Sequence, residues 1–259
     1  MESSDSKSCE TVIIGGLPTA RLTASELAHI MVHDCTGARQ KAQGPKLVFS
    51  SNGQSISLAG SSADFSDAMK LADIIHADGM SIVITSRLLC RKALPERIAT
   101  TDFFHVAAKS AEMNGLSFYF LGGKEDVNAK ACTRAKQLYP KIRWAGNHHG
   151  YFEKHEVEAL CEKIRAAKPD VLWVGLGRPE QEIFAAHNRG KLVGIGWIKT
   201  CGGLFDFLAG EKKRAPEWMQ LTGLEWIWRI IQEPRRLLGR YVFTNLHALW
   251  RLFLYTEKE

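Results

Sequence analysis

No apolar run in this 259-residue chain reaches the roughly 18–20 residues that a membrane-spanning helix needs. The first residues, Met-Glu-Ser-Ser-Asp-Ser-Lys, are polar and hold no apolar stretch of the kind a secretory signal uses. Cysteine is scattered: Cys9, Cys35, Cys90, Cys132, Cys161 and Cys201 include no C-x-x-C pair. A zinc site or disulfide framework is therefore not expected, and reduced thiols in cytosol are. Neither G-x-G-x-x-G nor a P-loop occurs, which removes the usual dinucleotide and ATP γ-phosphate sites. Ser50 and Ser51 lack a G-x-S-x-G context, so a hydrolase elbow is not expected either. No internal repeat or low-complexity tract interrupts the chain.

What is present is ordinary globular material, 45% apolar and 24% charged, enough for one large core or a core plus an appendage. Short apolar, β-branched segments alternate with amphipathic ones. The pattern predicts strands over 11–14, 46–50, 73–77, 116–121, 142–145, 171–174 and 192–195. It predicts helices over 23–32 (opened by the capping box Thr23-Ala-Ser-Glu26), 65–71, 98–114 (capped at Thr101-Asp102), 126–138, 153–167 and 180–188. That alternation signals βαβ units, hence an α/β, Rossmann-like, mostly parallel sheet with helices on both faces. Ligands of such sheets sit at the carboxyl ends of the strands. Composition shifts near Gly210, dividing the chain into an α/β catalytic domain, 1–210, and a basic, aromatic-rich appendage, 211–259.

The appendage holds much of the excess behind the net charge of +6, with Arg214, Arg229, Arg235, Arg236, Arg240 and Arg251 interleaved with Trp218, Trp226, Trp228 and Trp250. Arginine offers a permanent forked charge for phosphate, and tryptophan favours a boundary that is dry on one side and wet on the other. The combination suits an anionic lipid surface or a polyphosphate. Arg229, Arg236 and Arg240 align on one helix face if Pro234 only kinks the helix. The bland alternative is a helical hairpin docked on the core through its tryptophans. Nucleic acid also fits, but no RNP, helix-turn-helix or zinc-finger pattern accompanies the stretch.

Other candidates lie at strand ends. Gly175-Leu-Gly-Arg-Pro-Glu-Gln-Glu182 joins a strand to a helix; Gly175 and Gly177 let a ligand approach, and Gln181 is a polar reader of a base or sugar. A plain strand-to-helix turn is the alternative. Asp78 follows an apolar strand, where a carboxylate can take a proton from a hydroxyl, although Asp-Gly is also a turn pair. Asn52 divides the same way between turn former and ligand contact. His148 and His149 point to opposite faces of an extended segment, without carboxylate or Cys partners at useful spacing, so no metal site is expected.

Taken together, several segments resemble the WecG/TagA/CpsF glycosyltransferases. They are Ala77-Asp78-Gly79-Met80, Arg97-Ile-Ala-Thr-Thr-Asp102, Phe120-Leu-Gly-Gly123, Gly146-Asn-His-His-Gly-Tyr-Phe152 and Asp170 through Glu182. Phe205-Asp206-Phe-Leu-Ala-Gly210, Arg214-Ala-Pro-Glu-Trp-Met219 and Gly223-Leu-Glu-Trp226 through Glu233-Pro-Arg-Arg236 continue them, colinear over roughly residues 46 to 243. The resemblance implies a bacterial, inverting, metal-independent transferase without cofactor. Such an enzyme moves a hexose or N-acetylhexosamine from a UDP-sugar to an undecaprenyl-diphosphate-linked sugar at the inner face of the cytoplasmic membrane. Asp78 stands at the family's general base. Ser50, Asn52, Arg97, Gln181 and Asp206 stand in its substrate pocket, Ser50 where relatives carry Thr in Thr-Pro-Asn. Arg214, Arg229, Arg236 and Arg240 stand on the appendage that closes over the diphosphate. Trp197-Ile-Lys-Thr-Cys-Gly-Gly203 departs from the Gly-Val-Gly-like stretch of the family. N-acetylmannosamine, its uronic acid and glucose all remain open as donor sugars, as does homo-oligomerisation. The rival reading is a non-enzymatic nucleotide or nucleic-acid binding module with a basic arm.

Overall fold

In the computed structural model, residues 9–41 and 44–258 are described, without the side chains of residues 40, 41, 236–238 and 240–242. The chain opens with an antiparallel hairpin, Thr11–Ile14 (β1) and Leu17–Ala20 (β2), turned by Gly15-Gly16, both at positive φ. Ala24–Lys41 (α1) follows, and Thr23 and Glu26 form the expected reciprocal cap at its start. Then come Lys46–Ser51 (β3), Gly53–Ala59 (α2), Ala63–Lys70 (α3), Ile74–Ala77 (β4) and Met80–Leu89 (α4). Thr100–Asn114 (α5), Ser117–Gly122 (β5), Glu125–Leu138 (α6), Arg143–His148 (β6) and Val157–Ala167 (α7) continue the alternation. It ends with Val171–Gly175 (β7), Glu180–Asn188 (α8), Trp197–Thr200 (β8) and Leu204–Leu208 (α9). Glu217–Leu221 (α10), Glu225–Gln232 (α11) and Pro234–Leu254 (α12) form the tail.

Six strands make one parallel sheet in the order β4-β3-β8-β7-β5-β6. Its inner strands are buried on both sides, as a sheet covered by two helical layers requires. One face packs against α1, α5, α6 and α9 through an aromatic cluster of Phe104, Phe118, Phe120, Trp173 and Phe205. The other packs against α2, α3, α4, α7, α8 and the Ala248 and Leu252 side chains of α12. After β3 the chain turns into α2 on this second face; after its neighbour β8 it turns into α9 on the first. The connections therefore diverge between β3 and β8, the crevice where an open α/β sheet takes its ligand.

Several expected elements differ. The strand expected over 192–195 is β8 at Trp197–Thr200 instead; Leu192 and Ile195 are buried, but as part of the loop beside it. The lysine at 199 had disguised an otherwise buried strand. α2 and α4 were not expected, because Ser51-Asn52-Gly53 and Asp78-Gly79 read as breaks. Asn52 is in fact the N-cap of α2, in a reciprocal box with Ser55, and Gly79 is the N-cap of α4. Asp78-Gly79 is thus a strand-to-helix junction, and no tight turn. Thr101-Asp102 does not cap α5, which starts at Thr100 after Ala99.

In the tail, Pro234 begins α12 and does not kink a continuous helix, since its fixed φ and missing N–H suit a first turn. Arg229 therefore lies on α11 while positions 236 and 240 lie on α12, so the single arginine face does not form. α12 lies against α2, with Ser57 Oγ 3.0 Å from His247 Nδ1, and returns to the hairpin through Gly16 N–H to Tyr255 O at 2.8 Å. Docking does not run through the tryptophans: Trp218 is 60% and Trp250 52% exposed, and Phe243, Leu246, Leu249 and Phe253 join Trp250 on an uncovered face.

Candidate active site

A cavity of about 860 Å³ opens at the carboxyl ends of the strands, over the β3–β8 divergence. That is at the upper end of small-molecule pockets. Ser50, Asn52, Asp78, Arg97, Gly175, Gly177, Gln181 and Asp206 all line it, drawn from five strand ends or the helices that follow. From the tail, Arg229, Gln232 and Glu233 complete its wall, and Lys124, Tyr151, Arg178 and Lys212 line it too, although sequence reasoning had not singled them out.

Asp78 is the carboxylate at the floor. Its Oδ1 accepts the Thr100 N–H at 2.9 Å, so the first free amide of α5 points at a negative charge. Its Oδ2 accepts from Asn52 Nδ2 at 3.2 Å. The missing local cap of α5 is thus supplied by a side chain 22 residues upstream. The carboxyl lies deep among protein atoms, yet the residue keeps contact with cavity solvent. Burial pushes its pKa up, but Arg97, His76, the Thr100 N–H and Arg229 outweigh this and hold it below the usual carboxylate range. His76 is itself fully buried and driven neutral, by burial first and then Lys199, so the two arginines are the charges that matter near neutral pH. Asp78 is therefore ionised and able to accept a proton.

Arg97 reaches Asp78 through the backbone: its Nε donates to Asp78 O at 2.7 Å while Nη2 meets Glu225 Oε2 at 2.5 Å. Glu225, at the start of α11, also faces Arg229 at 3.4 Å and Arg214 at 3.7 Å. Burial raises the Glu225 carboxyl, but Arg229, Arg97 and Arg214 more than reverse it. This hub ties the tail to the floor of the cavity. Arg214 does not line the cavity; it bonds Thr101, Gln220 and Asp102, the last at 2.7 Å. The side chains of Arg236 and Arg240 lie outside the described residues.

Behind the floor, buried Arg178 donates to Glu182 Oε1 at 3.0 Å, Asn52 Oδ1 at 2.9 Å, and Ser50 O and Oγ at 3.1 and 3.0 Å. Gln181 is held at both ends, donating to Glu182 Oε1 at 2.8 Å and accepting the Gly202 N–H at 2.9 Å. Gly177 sits in open space at φ +84°, as a ligand approach requires, whereas a Cβ on Gly175 would lie 2.9 Å from Gly202 O. The glycine at 175 thus serves packing of β7 on the loop after β8. Asp206 pairs with Lys212 at 3.0 Å, and Lys212 with Glu233 at 3.0 Å. His148 and His149 do not diverge as expected: β6 ends at His148, and the rings lie 4.5 Å apart. Among the described residues no group of three or more His, Cys, Asp or Glu side chains could hold a metal ion.

An ionised base set between fixed N–H donors and an arginine hub, facing a cavity of this size, is equipped for proton abstraction from a hydroxyl beside an anionic leaving group. The model of the glycosyl transferase WecG/TagA/CpsF family matches residues 12–259. The chain is also 34% identical, over 191 residues, to the N-acetylglucosaminyldiphosphoundecaprenol N-acetyl-β-D-mannosaminyltransferase of Bacillus subtilis (strain 168). That match covers 71% of this chain and 72% of the relative. Neither comparison favours a non-enzymatic nucleotide or nucleic-acid binding module. On both the family match and the relative, this chain belongs to the WecG/TagA/CpsF family and is a glycosyltransferase.

Proposed function

We propose that this protein transfers a sugar from a UDP-sugar to a sugar carried on undecaprenyl diphosphate, with inversion and without a metal. The name of the Bacillus subtilis relative favours N-acetylmannosamine as the sugar moved and undecaprenyl-diphosphate-linked N-acetylglucosamine as the acceptor. In this reading Asp78 takes the proton from the acceptor hydroxyl as its oxygen bonds to the anomeric carbon. The bond from that carbon to the UDP oxygen breaks on the opposite face, and UDP leaves with the electron pair. Charge developing on UDP meets Arg229 and the free backbone amides near Gly177, a preorganised electrostatic role. The observation that carries the reading is the Asp78 carboxylate, ionised and held at both oxygens on the cavity floor.

The exposed apolar face of α12, with Phe243, Leu246, Trp250 and Phe253 at helical spacing, supports a lipid-boundary role for 211–259 at the cytoplasmic face of the membrane. Among the described residues no helix is long and apolar enough to cross a membrane. Incubation with a panel of UDP-sugars and a short-chain prenyl-diphosphate N-acetylglucosamine, in chelator, tests the proposal. Consumption of UDP-N-acetylmannosamine with an inverted product supports it; turnover of none of the donors, or turnover only on adding metal, counts against it.

A further inference from the structure

Arg178 was not among the residues that sequence reasoning picked out, and its surroundings separate it from the other cationic groups of the site. Its side chain is 8% exposed and its fork is almost fully used: Nε–H on Glu182, one Nη1–H on Asn52 Oδ1, and Nη2 on the carbonyl and hydroxyl of Ser50. Glu182 is fully buried and ion-paired with it, so the pair brings no net charge to the cavity. A diphosphate clamp needs unspent charge and free donors. Arg178 has neither in quantity.

What the fork does instead is fix an amide. Arginine only donates, so it faces the oxygen of Asn52 and excludes its nitrogen. The Ser55 N–H donates to the same oxygen at 3.2 Å, so two donors agree on which way the amide lies. The nitrogen is thereby turned toward Asp78 Oδ2, 3.2 Å away. With the Thr100 N–H on Oδ1, this leaves the carboxylate held at two points and its remaining lone pairs facing the cavity. A chain of determinate hydrogen bonds thus runs from Glu182 through Arg178 and Asn52 to Asp78.

We propose that Arg178 is a positioning residue of the transfer reaction: it aims the Asn52 amide at Asp78 and so holds that carboxylate in the orientation that receives the acceptor proton. The proposal rests on the reading of Asp78 as the base. Misplacement of a reacting group on the ångström scale costs rate up to about 100-fold. Arg178→Met should therefore lower kcat roughly 10- to 100-fold with donor KM moved less than about threefold. Asn52→Ala should do much the same, and adding Arg178→Met to Asn52→Ala should cost less than about threefold more, because the two act in series. Both single variants should also move the acid limb of the kcat–pH profile upward, since each removes an N–H from the ionised carboxylate.

Losses that multiply in the double variant would overturn the proposal, as would a raised donor KM with kcat intact, which would make Arg178 a direct substrate contact. Thermal melting of each variant checks folding. If Arg178→Met does not fold, Arg178→Lys serves: it keeps the charge opposite Glu182 but cannot also reach Asn52 and Ser50, so the same drop in kcat is expected, and full activity would refute the idea. Full activity in Asp78→Asn would sink the proposed function itself, whereas multiplying losses beside an inactive Asp78→Asn would sink only the role of Arg178.

Discussion

Lys199 is the oddest residue in the core, and replacing it gives a sharp test of how the sheet is held. It sits in the middle of β8, fully buried between β3 and β7, paired in register with Val48 and Trp173. Its ammonium donates to Thr200 O at 2.6 Å. Burial pushes the amine down to about 8 from its ordinary 10.5, with nearby Cys201, Asp78 and Glu182 only partly offsetting this. That displacement corresponds to about 3 kcal/mol of folding energy lost whenever the amine is charged in both states. Below pH 8 it is charged folded and unfolded, so the cost is fully present. As pH rises from 8 towards 10.5 the folded protein sheds the proton and the unfolded chain keeps it, so wild-type stability climbs.

Lys199→Met keeps the shape and removes the charge, while Glu182 keeps Arg178 as its counterion. It forfeits one hydrogen bond, about 1 kcal/mol, leaving a net gain of about 2 kcal/mol near pH 7. For a chain of this size that is a rise of roughly 4–8 °C in Tm. Thermal or urea melting of both proteins at pH 7 and pH 10 reads the effect: the advantage of the variant should shrink or reverse at pH 10. A variant less stable than wild type at pH 7, or a gain that ignores pH, would refute the reasoning.

Gly175→Ala puts a Cβ 2.9 Å from Gly202 O and the Phe205 ring, so it should cost about 1–3 kcal/mol by overpacking, read as a lower urea midpoint. Glu225→Ala removes the anion shared by Arg97 and Arg229; because it is largely buried, a loss of a few kcal/mol is expected in melting, together with reduced transferase activity. Phe243→Glu with Trp250→Glu puts two charges on the exposed face of α12. Sedimentation with anionic vesicles should fall at least about tenfold while the melting temperature holds; undiminished vesicle binding would remove the lipid role of that face.

How far the sequence foretold this molecule depended on whether the deciding interaction was local. β5, β7 and α8 were legible because apolar runs of strand length and a Pro-led helix start carry their own signal. α2 and α4 were not, since Asn52 and Gly79 begin helices with the same residue types that end strands. The start of α5 was misplaced because its amide is taken by Asp78, from 22 residues away. Asp78, Asn52 and Arg97 were anticipated by their place at strand ends and in the family's motifs. Arg178, Glu225 and Lys199 escaped because a buried ion pair or ammonium looks, in sequence, like any surface charge. A second arginine-glutamate pairing at i, i+4 after a glycine-rich turn, Arg178 with Glu182, was the one local hint available.

The most direct test is the rate of sugar transfer from UDP-N-acetylmannosamine to a short-chain prenyl-diphosphate N-acetylglucosamine by wild type and Asp78→Asn, with melting curves recorded alongside. Loss of a general base predicts a drop of roughly 10²–10⁴-fold in kcat with folding preserved. An unchanged rate in a folded Asp78→Asn protein would contradict the account.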